Sequence, residues 1–184
     1  MSILNMPLPE DVEISGGKYK VHTDFRQWIE FEKIIRINPP AKRYAEMLTK
    51  YYISLPPKLS DAISALCRFY AGGTLPQKNS AGTGQRLYSY DRDAQMIYCA
   101  FFAQYHIDLE KENMHWWKFL ALLRGLDENS RFMQVVRLRA MDINEIKDKN
   151  ERRRIAALKR KYALCDEHGG LKDDDFADKI SMLF

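Results

Sequence analysis

Apolar residues recur at three- and four-residue intervals through most of the chain, between breaks rich in proline or glycine. This periodicity is typical of amphipathic helices. No strand–helix–strand alternation is present, so a doubly wound nucleotide-binding fold is not expected. The pattern predicts a mainly α protein: a helical bundle-like single domain over residues 1–165, followed by an acidic C-terminal tail over 166–184.

One short segment near the start departs from the helical pattern. Apolar and polar residues alternate from Val12 to Val21 on both sides of Ser15–Lys18, which contains two glycines. Glycine adopts the positive φ angles of a tight turn, so the segment predicts a small β-hairpin at about 12–21. Asp24 then offers an oxygen that can accept the first free amide hydrogens of a helix.

About seven helices are predicted after the hairpin, from apolar stripes and from capping or breaking residues. In chain order they run from Asp24 to the break at 38–40, then over about 41–52, 58–70, 94–105, the segment between Asn113 and Gly125, 130–141 and 146–164. A long glycine-rich loop is expected over 71–84. Gly125 is expected to end its helix in the left-handed conformation.

The most apolar predicted helix covers 94–105, and Asp91 is expected to cap it. Both sides of this helix carry apolar residues: Ala94, Ile97, Tyr98, Phe101, Phe102 and Tyr105 on one, Met96, Cys99, Ala100 and Ala103 on the other. A helix that is apolar nearly all round is normally buried, so we expect it to be the central element. Cys67 and Cys99 are expected in the core, since free cysteine behaves as a small hydrophobe.

Two adjacent tryptophans, Trp116 and Trp117, lie in the next predicted helix. Neighbouring helical residues point about 100° apart, so the two rings cannot face the same surface. We expect Trp116 in the core and Trp117 at a half-buried edge with its N–H in water. Alternatives for Trp117 are a partner groove or a base-stacking platform. The predicted core residues are Trp28, Ile97, Phe101, Trp116 and Leu120.

Composition places the chain among soluble globular proteins. Of its 184 residues, 46% are hydrophobic and 29% are charged, with a formal net charge of +4. Apolar runs are too short for a membrane span and the N-terminus does not resemble a secretion signal, so a cytoplasmic location is expected. Three widely spaced cysteines are expected to be reduced thiols.

Charge is distributed unevenly near the C-terminus. Residues 147–162 carry eight basic and two acidic side chains, whereas 166–179 carry two basic and six acidic ones. The basic helix is expected to be a solvated face, a phosphate-binding surface or a site for an acidic protein. The residues that we predict to contact a partner are Trp117, Arg124, Arg152, Arg153 and Arg160.

Catalytic and metal-binding patterns are weak throughout the sequence. Gly82–Gly84 lacks the rest of a phosphate-binding loop, and none of the four histidines has metal-ligand spacing. Asp91 and Asp93 precede a helix, which favours capping over a catalytic carboxylate pair. We therefore predict no enzymatic activity, no metal and no cofactor.

Several segments together resemble the bacteriophage "gene product fifteen" family of siphophage tail-region proteins. The most specific are D-F-R-x-W at 24–28 and H-W-W-K-F at 115–119. Similar segments run from Val12 to Leu164, while the loop over 71–84 and the acidic tail depart from the family pattern.

The resemblance implies a non-catalytic tail assembly chaperone encoded near the tail-tube and tape-measure genes. Its implied partners are helical segments of the tape-measure protein, the tail-tube protein, a frameshift-related chaperone and further copies of itself. It would act in the host bacterial cytoplasm and be absent from the mature virion. The alternative is a nucleic-acid-binding regulatory protein that uses the basic helix over 147–161.

Overall fold

The computed structural model describes residues 7–37, 46–47, 49–73 and 86–164. The strands are β1 (Asp11–Ile14) and β2 (Gly17–Lys20), and the α-helices are α1 (Phe25–Ile37), α2 (Leu59–Tyr70), α3 (Ala94–Tyr105), α4 (Trp116–Arg124), α5 (Arg131–Ala140) and α6 (Lys149–Lys161), with a 3₁₀ turn at Ile143–Glu145. The mainly α fold with one small hairpin is confirmed. Half of the predicted helix at 41–52, most of the loop at 71–84 and the whole tail at 166–184 lie outside the described residues. Within 41–52, residues 46–47 and 49–51 are helical.

The described residues group into two compact units. The first holds the described part of 7–73 together with Asn113–Ala121, and the second holds 86–112 with 122–164. Helix α4 begins in the first unit and ends in the second. The prediction of a single domain over 1–165 stays a prediction.

The hairpin forms where the alternation of apolar and polar residues predicts it. Strands β1 and β2 pair antiparallel with Ile14 opposite Gly17. Ser15 and Gly16 form the turn with φ angles of 50° and 80°. Positive φ at both turn residues matches the right-handed twist of a two-residue hairpin, which explains why the sequence places glycine there.

Helix α1 starts at the predicted cap and buries its predicted face. Asp24 Oδ1 accepts the Arg26 backbone N–H at 2.9 Å, which satisfies one of the free amides of the first turn. Trp28, Phe31 and Ile35 are fully buried along one stripe. These side chains form the centre of the first unit.

Helix α2 ends in a glycine-dependent turn that the sequence pattern did not reveal. The Gly73 N–H donates to Arg68 O and the Gly72 N–H to Phe69 O, each at 3.0 Å. This pair of bonds is a Schellman motif, with both glycines at a φ of 75°. The first three residues of the predicted loop, 71–73, therefore belong to the turn that ends α2.

The two adjacent tryptophans complete the same helix end. Trp116 Nε1–H donates to Tyr70 O and Trp117 Nε1–H to Phe69 O, both at 2.8 Å. Carbonyls in the last turn of a helix lack partners within the helix, so the two indoles supply hydrogen bonds that α2 cannot make itself. Successive carbonyls of one helix and successive side chains of the other both rotate by about 100° per residue. Two neighbouring indole rings can therefore each bond to one of two neighbouring carbonyls.

In the second unit, a buried ion pair joins α5 to the residue that precedes α3. Arg139 donates to the Asp93 carboxylate at 2.6 and 2.9 Å, and the two side chains are 6% and 1% exposed. Arg139 also donates to the backbone carbonyls of Leu87 and Tyr162. Asp93 accepts the Ser89 N–H. The prediction that Asp91 caps α3 was wrong, because Asp93 is the N-cap residue and its carboxylate turns to Arg139 instead of the helix amides.

Helix α3 is buried on one side only, which corrects the prediction of a central helix. Ile97, Ala100 and Phe101 are buried, and α5 packs against this helix. Phe102 is 53% exposed and Cys99 is exposed. The prediction of a core Cys99 was therefore wrong, whereas the Cys67 prediction is confirmed, since Cys67 is fully buried in α2.

The end of α4 is closed by side chains from α3, not by a left-handed glycine. Gln104 donates to Gly125 O at 2.9 Å and accepts the Asp127 N–H at 2.7 Å, while Tyr105 donates to Leu122 O at 2.9 Å. The described glycines with positive φ are Gly16, Gly72 and Gly73. The prediction for Gly125 was wrong because these external bonds make a left-handed turn unnecessary.

Polar caps set the starts of the last two α-helices. Ser130 Oγ accepts the Met133 N–H ahead of α5, and Asp148 Oδ1 accepts the Glu151 N–H at 2.6 Å ahead of α6. The Asp148 cap makes α6 start later than predicted, and the helix also ends earlier, at Lys161. All five predicted core residues, Trp28, Ile97, Phe101, Trp116 and Leu120, are buried.

Gly73→Ala should destabilise the protein more than Gly16→Ala. A Cβ at position 73 would lie 2.7 Å from the buried Trp117 ring, whereas one at position 16 meets nothing within 4 Å. Both substitutions place alanine at positive φ, at a cost of about 1–2 kcal/mol, and overpacking at position 73 adds about 1–3 kcal/mol. Urea denaturation of both variants measures the difference, and equal losses would show that the Trp117 ring can move aside.

Breaking the buried ion pair should be strongly destabilising. Asp93→Asn or Arg139→Met leaves an uncompensated buried charge and should lower the free energy of unfolding by about 3–5 kcal/mol. Glu151→Gln, which removes the exposed pair with Arg154, is the control and should hardly move the denaturation midpoint. A parent-like midpoint for Asp93→Asn would refute the structural role of the pair.

Candidate partner-binding surface

The paired tryptophans form part of the core and present little surface to a ligand. Trp116 is fully buried and Trp117 is 9% exposed. The Trp116 ring stacks on Tyr70 and Phe119, and Trp117 contacts Phe69. The prediction of a half-buried Trp117 with its N–H in water was wrong, because that N–H bonds to a carbonyl of α2. This arrangement leaves neither ring open for base stacking.

His115 holds the start of this tryptophan helix. Its Nδ1 accepts the Trp117 backbone N–H at 3.0 Å, and its Nε2 lies 2.9 Å from Pro9 O. Since a carbonyl can only accept, Nε2 carries the proton and the ring is the neutral tautomer. The imidazole therefore acts as a helix cap and ties the N-terminal segment to α4, which is a structural role.

Burial lowers the pKa of His115, and the hydrogen bond to Pro9 O and the nearby Glu10 charge oppose this effect more weakly. A second proton would have to go on Nδ1, which already accepts the Trp117 N–H. The neutral ring is thus the form that the fold requires.

The outward side of α3 is an exposed apolar surface. Phe102 is 53% exposed, Cys99 and Ala103 are exposed, and Met96 and Tyr98 are partly exposed. The i, i+3 and i+4 spacings place all five on the side opposite Ile97 and Phe101. We call these five residues the α3 apolar face. An exposed patch of this kind on a small protein often marks an interaction site.

Polar contacts hold one edge of the α3 apolar face in place. The Tyr98 ring stacks on Phe102 with 6.3 Å between centroids, and its hydroxyl donates to Asp108 at 3.1 Å. Lys111 forms an ion pair with Asp108 at 3.1 Å, which lowers the pKa of that carboxyl. The Tyr98 pKa is raised, mainly by its hydrogen bond to Asp108. The two aromatic rings are therefore ordered before any partner binds.

Helix α6 turns most of its charge outward. Ile155 is its buried residue, and Lys149, Arg153 and Arg160 lie on the opposite side with Arg152 at the edge. We call these four residues the α6 basic face, and all four are exposed. The Arg154 side chain pairs with Glu151, and the Lys159 side chain donates to Met141 O. The side chains of Arg152, Arg153 and Arg160 have no hydrogen-bond or ion-pair partner among the described residues.

The predicted partner-contact residues thus divide into two groups. Arg124, Arg152, Arg153 and Arg160 are exposed, while Trp117 is buried. Their contact with a partner stays a prediction. Sequence reasoning missed the α3 apolar face, because the periodicity of that helix was taken to mean burial on all sides.

Other kinds of site find little support in the described part of the chain. No group of histidine, cysteine, aspartate or glutamate side chains there could hold a metal ion. A half-open cavity of about 290 Å³ is lined by Gln27, Glu30, Ile34, Lys50 and Tyr51. Burial and then the Glu30 charge raise the pKa of the Tyr51 hydroxyl, which makes it a poor acid–base group. Helices with the length and apolarity to cross a membrane are also absent from these residues.

These features describe a mainly helical protein with an apolar and a basic surface. The family model described as bacteriophage Gp15 protein matches residues 4–164. The match covers most of the chain, so the protein belongs to the bacteriophage Gp15 family. A search of curated proteins and a search of solved structures found no match.

The capping role of His115 predicts a pH-dependent stability. Its pKa lies below the usual 6.5 in the folded protein, so below about pH 6.5 the unfolded chain binds a proton that the folded chain does not. This contribution to stability is complete at pH values above the pKa that His115 has in the unfolded chain. It is lost as the pH falls from that pKa toward the lower pKa of His115 in the folded protein. Chemical denaturation between pH 5 and 8 measures it.

His115→Asn is the informative variant. An asparagine oxygen can still accept the Trp117 N–H but does not titrate, so the variant should lose less stability than the parent on acidification. The same change at the exposed His106 is the control and should keep the parent's profile. Identical profiles for parent and His115→Asn would contradict the neutral-cap assignment.

Proposed function

We propose that this phage protein is a non-catalytic tail assembly chaperone that binds helical segments of the tape-measure protein. The α3 apolar face is the observation that carries the proposal. A tape-measure protein is a long helix with apolar stripes, which would aggregate if left uncovered. An ordered surface of five apolar side chains on a helix suits an amphipathic helix as its partner.

The character of the surface fits reversible binding. Tyr98 and Phe102 supply large, ordered contact area, and Asp108 and Lys111 provide a polar edge. Aromatic residues surrounded by polar ones are the usual composition of binding hot spots. A chaperone must release its client when tube subunits assemble, and a small surface of this kind provides moderate affinity.

The α6 basic face supplies a second element of recognition. Exposed charges at the edge of an interface act mainly on the rate of encounter and on partner choice. Arg152, Arg153 and Arg160 would attract acidic stretches of the client, the tail-tube protein or a frameshift-related chaperone. The chaperone would do so in the host cytoplasm and leave before the virion is complete.

A nucleic-acid-binding regulator is the second candidate, and the α6 basic face is the observation that favours it. Binding through phosphates would weaken steeply as salt is raised, because each contact releases counterions. Binding through the α3 apolar face would depend little on salt. Titrations at low and physiological salt therefore separate the two functions.

Phe102→Asp should weaken binding to tape-measure peptides at least tenfold. Loss of an aromatic hot spot costs about 2 kcal/mol or more, which corresponds to roughly thirtyfold in affinity. The assay is fluorescence anisotropy with labelled peptides that cover the helical segments of the tape-measure protein from the same phage. Ile53→Asp, at an apolar residue that is 61% exposed in the first unit, is the matched control and should bind like the parent.

Two results would refute this proposal. One is a parent protein that binds none of the peptides. The other is equal binding by the Phe102→Asp and Ile53→Asp variants while both remain folded by circular dichroism.

A further inference from the structure

The α3 apolar face combines large and small side chains in a regular order. Phe102, which is 53% exposed, and the partly exposed Tyr98 are large. Cys99 and Ala103, the exposed residues that follow each of them on the helix, are small. Such a surface packs closely against another helix only where each large side chain meets a small one. The face is therefore selective for its partner and for the register of the contact.

A second copy of the same helix meets this requirement when it runs antiparallel. With Cys99 set opposite Phe102 of the second copy, Tyr98 falls opposite Ala103 of that copy. Twofold symmetry repeats both contacts, so all four side chains find a neighbour of complementary size. A parallel pair would instead set Phe102 against Phe102. We propose that the α3 apolar faces of two copies pair in this antiparallel register and cover each other until a client binds.

The polar residues at the two ends of the face fit the same register. Gln95 falls opposite His106 of the second copy, and both residues are exposed. The Gln95 amide both donates and accepts hydrogen bonds, so it can bond to either tautomer of the imidazole. The pairing therefore leaves neither polar side chain facing an apolar one.

The charges around α3 also favour an antiparallel copy. The helix itself, Ala94–Tyr105, carries no acidic or basic side chain, so apposed helices meet no like charges. Exposed charges flank it: Asp91 and Arg92 before its start, Glu110 and Lys111 beyond its end. Antiparallel packing brings the first pair of one copy toward the second pair of the other, where opposite charges can meet. It also places opposite ends of the two helix dipoles side by side.

The size of the contact sets its strength. Helix α3 has 12 residues and is therefore about 18 Å long and about 10 Å wide. A patch of these dimensions is smaller than the roughly 800 Å² that a stable complex buries on each partner. The pairing is thus weak and depends on protein concentration, and a longer client helix displaces the second copy. This displacement rests on the proposed function, whereas the pairing itself does not.

Cysteine cross-linking tests the register in the full-length chain. Cys99→Ser and Cys165→Ser remove two native thiols, and the remaining Cys67 is fully buried. Gln95→Cys or His106→Cys is then added to this background. An equimolar mixture of the two variants should form a mixed disulfide dimer under mild oxidation, because positions 95 and 106 of different copies face each other. Each variant alone should form much less, since its two thiols would lie about 16 Å apart along the helix axis.

Mass spectrometry identifies the disulfide. Absence of the mixed disulfide, or equal yields from the mixture and from the single variants, would overturn the antiparallel register.

Ala103→Phe separates a specific pairing from general hydrophobic association. The substitution enlarges the apolar surface, so general association would become stronger. In the antiparallel pair the new ring would clash with Tyr98 of the second copy, twice by symmetry, and should weaken self-association at least about tenfold. Sedimentation over micromolar to millimolar concentrations measures this change, and circular dichroism confirms folding. Ile53→Asp is the control and should associate like the parent.

Two sedimentation results would overturn the pairing. One is a parent that stays monomeric over the whole concentration range. The other is an Ala103→Phe variant that associates as strongly as the parent or more strongly.

Tape-measure peptides keep this test apart from that of the proposed function. In the parent they should convert the dimer to peptide-bound monomer, and continued pairing with peptide bound would overturn the displacement. A dimer that forms while no peptide binds would refute the chaperone and leave the pairing standing. Peptide binding by a parent that never pairs would refute the pairing and leave the chaperone standing.

Discussion

The C-terminus of α2 is the constraint around which the first unit is organised. A helix end exposes carbonyls with no partner inside the helix. The Schellman turn at Gly72 and Gly73 satisfies Arg68 O and Phe69 O. The Trp116 indole bonds to Tyr70 O, and the Trp117 indole adds a second hydrogen bond to Phe69 O. The two rings can reach α2 only if α4 lies directly beside it. This requirement accounts for the close fit between the Trp117 ring and Gly73, and it removes both tryptophans from the surface.

The second unit depends on a polar centre instead of an aromatic one. The side chains of Asp93 and Arg139 bond to each other and to three backbone groups in the interior. With α5 on one side of α3, the opposite side keeps its apolar residues in solvent. Helix α6 likewise contributes a single buried residue, Ile155, and turns its cations outward. The surfaces that we associate with binding are therefore the sides that this small core does not use.

The sequence predicts the helices and strands of this fold better than the long-range contacts that their residues make. Apolar spacing and capping residues located the hairpin and the described parts of most helices, because those signals act within a few residues. The role of Asp93 could not be predicted, because Arg139 is 46 residues away and an aspartate before a helix normally caps it. Gly125 was misread for a similar reason, since the bonds that close α4 come from Gln104.

Local sequence patterns were equally limited in predicting the candidate partner-binding surface. Periodicity identified α3 as apolar but could not tell how many of its sides are covered, so Phe102 was expected inside. The exposure of Arg152, Arg153 and Arg160 agrees with their position opposite Ile155, which a helical wheel predicts. The Trp117 Nε1–H bonds to Phe69 O, which lies 48 residues earlier in the chain. The sequence around Trp117 gives no indication of this partner.

The bonds of Arg139 also set an order of events during protein synthesis. Its guanidinium donates to Leu87 O and Tyr162 O, residues that leave the ribosome at very different times. The buried pair with Asp93 can form earlier, but its complete set of bonds must wait until the end of α6 has emerged. The nascent second unit therefore stays short of its final stability until translation is nearly finished, and the segment that completes it is the basic helix itself.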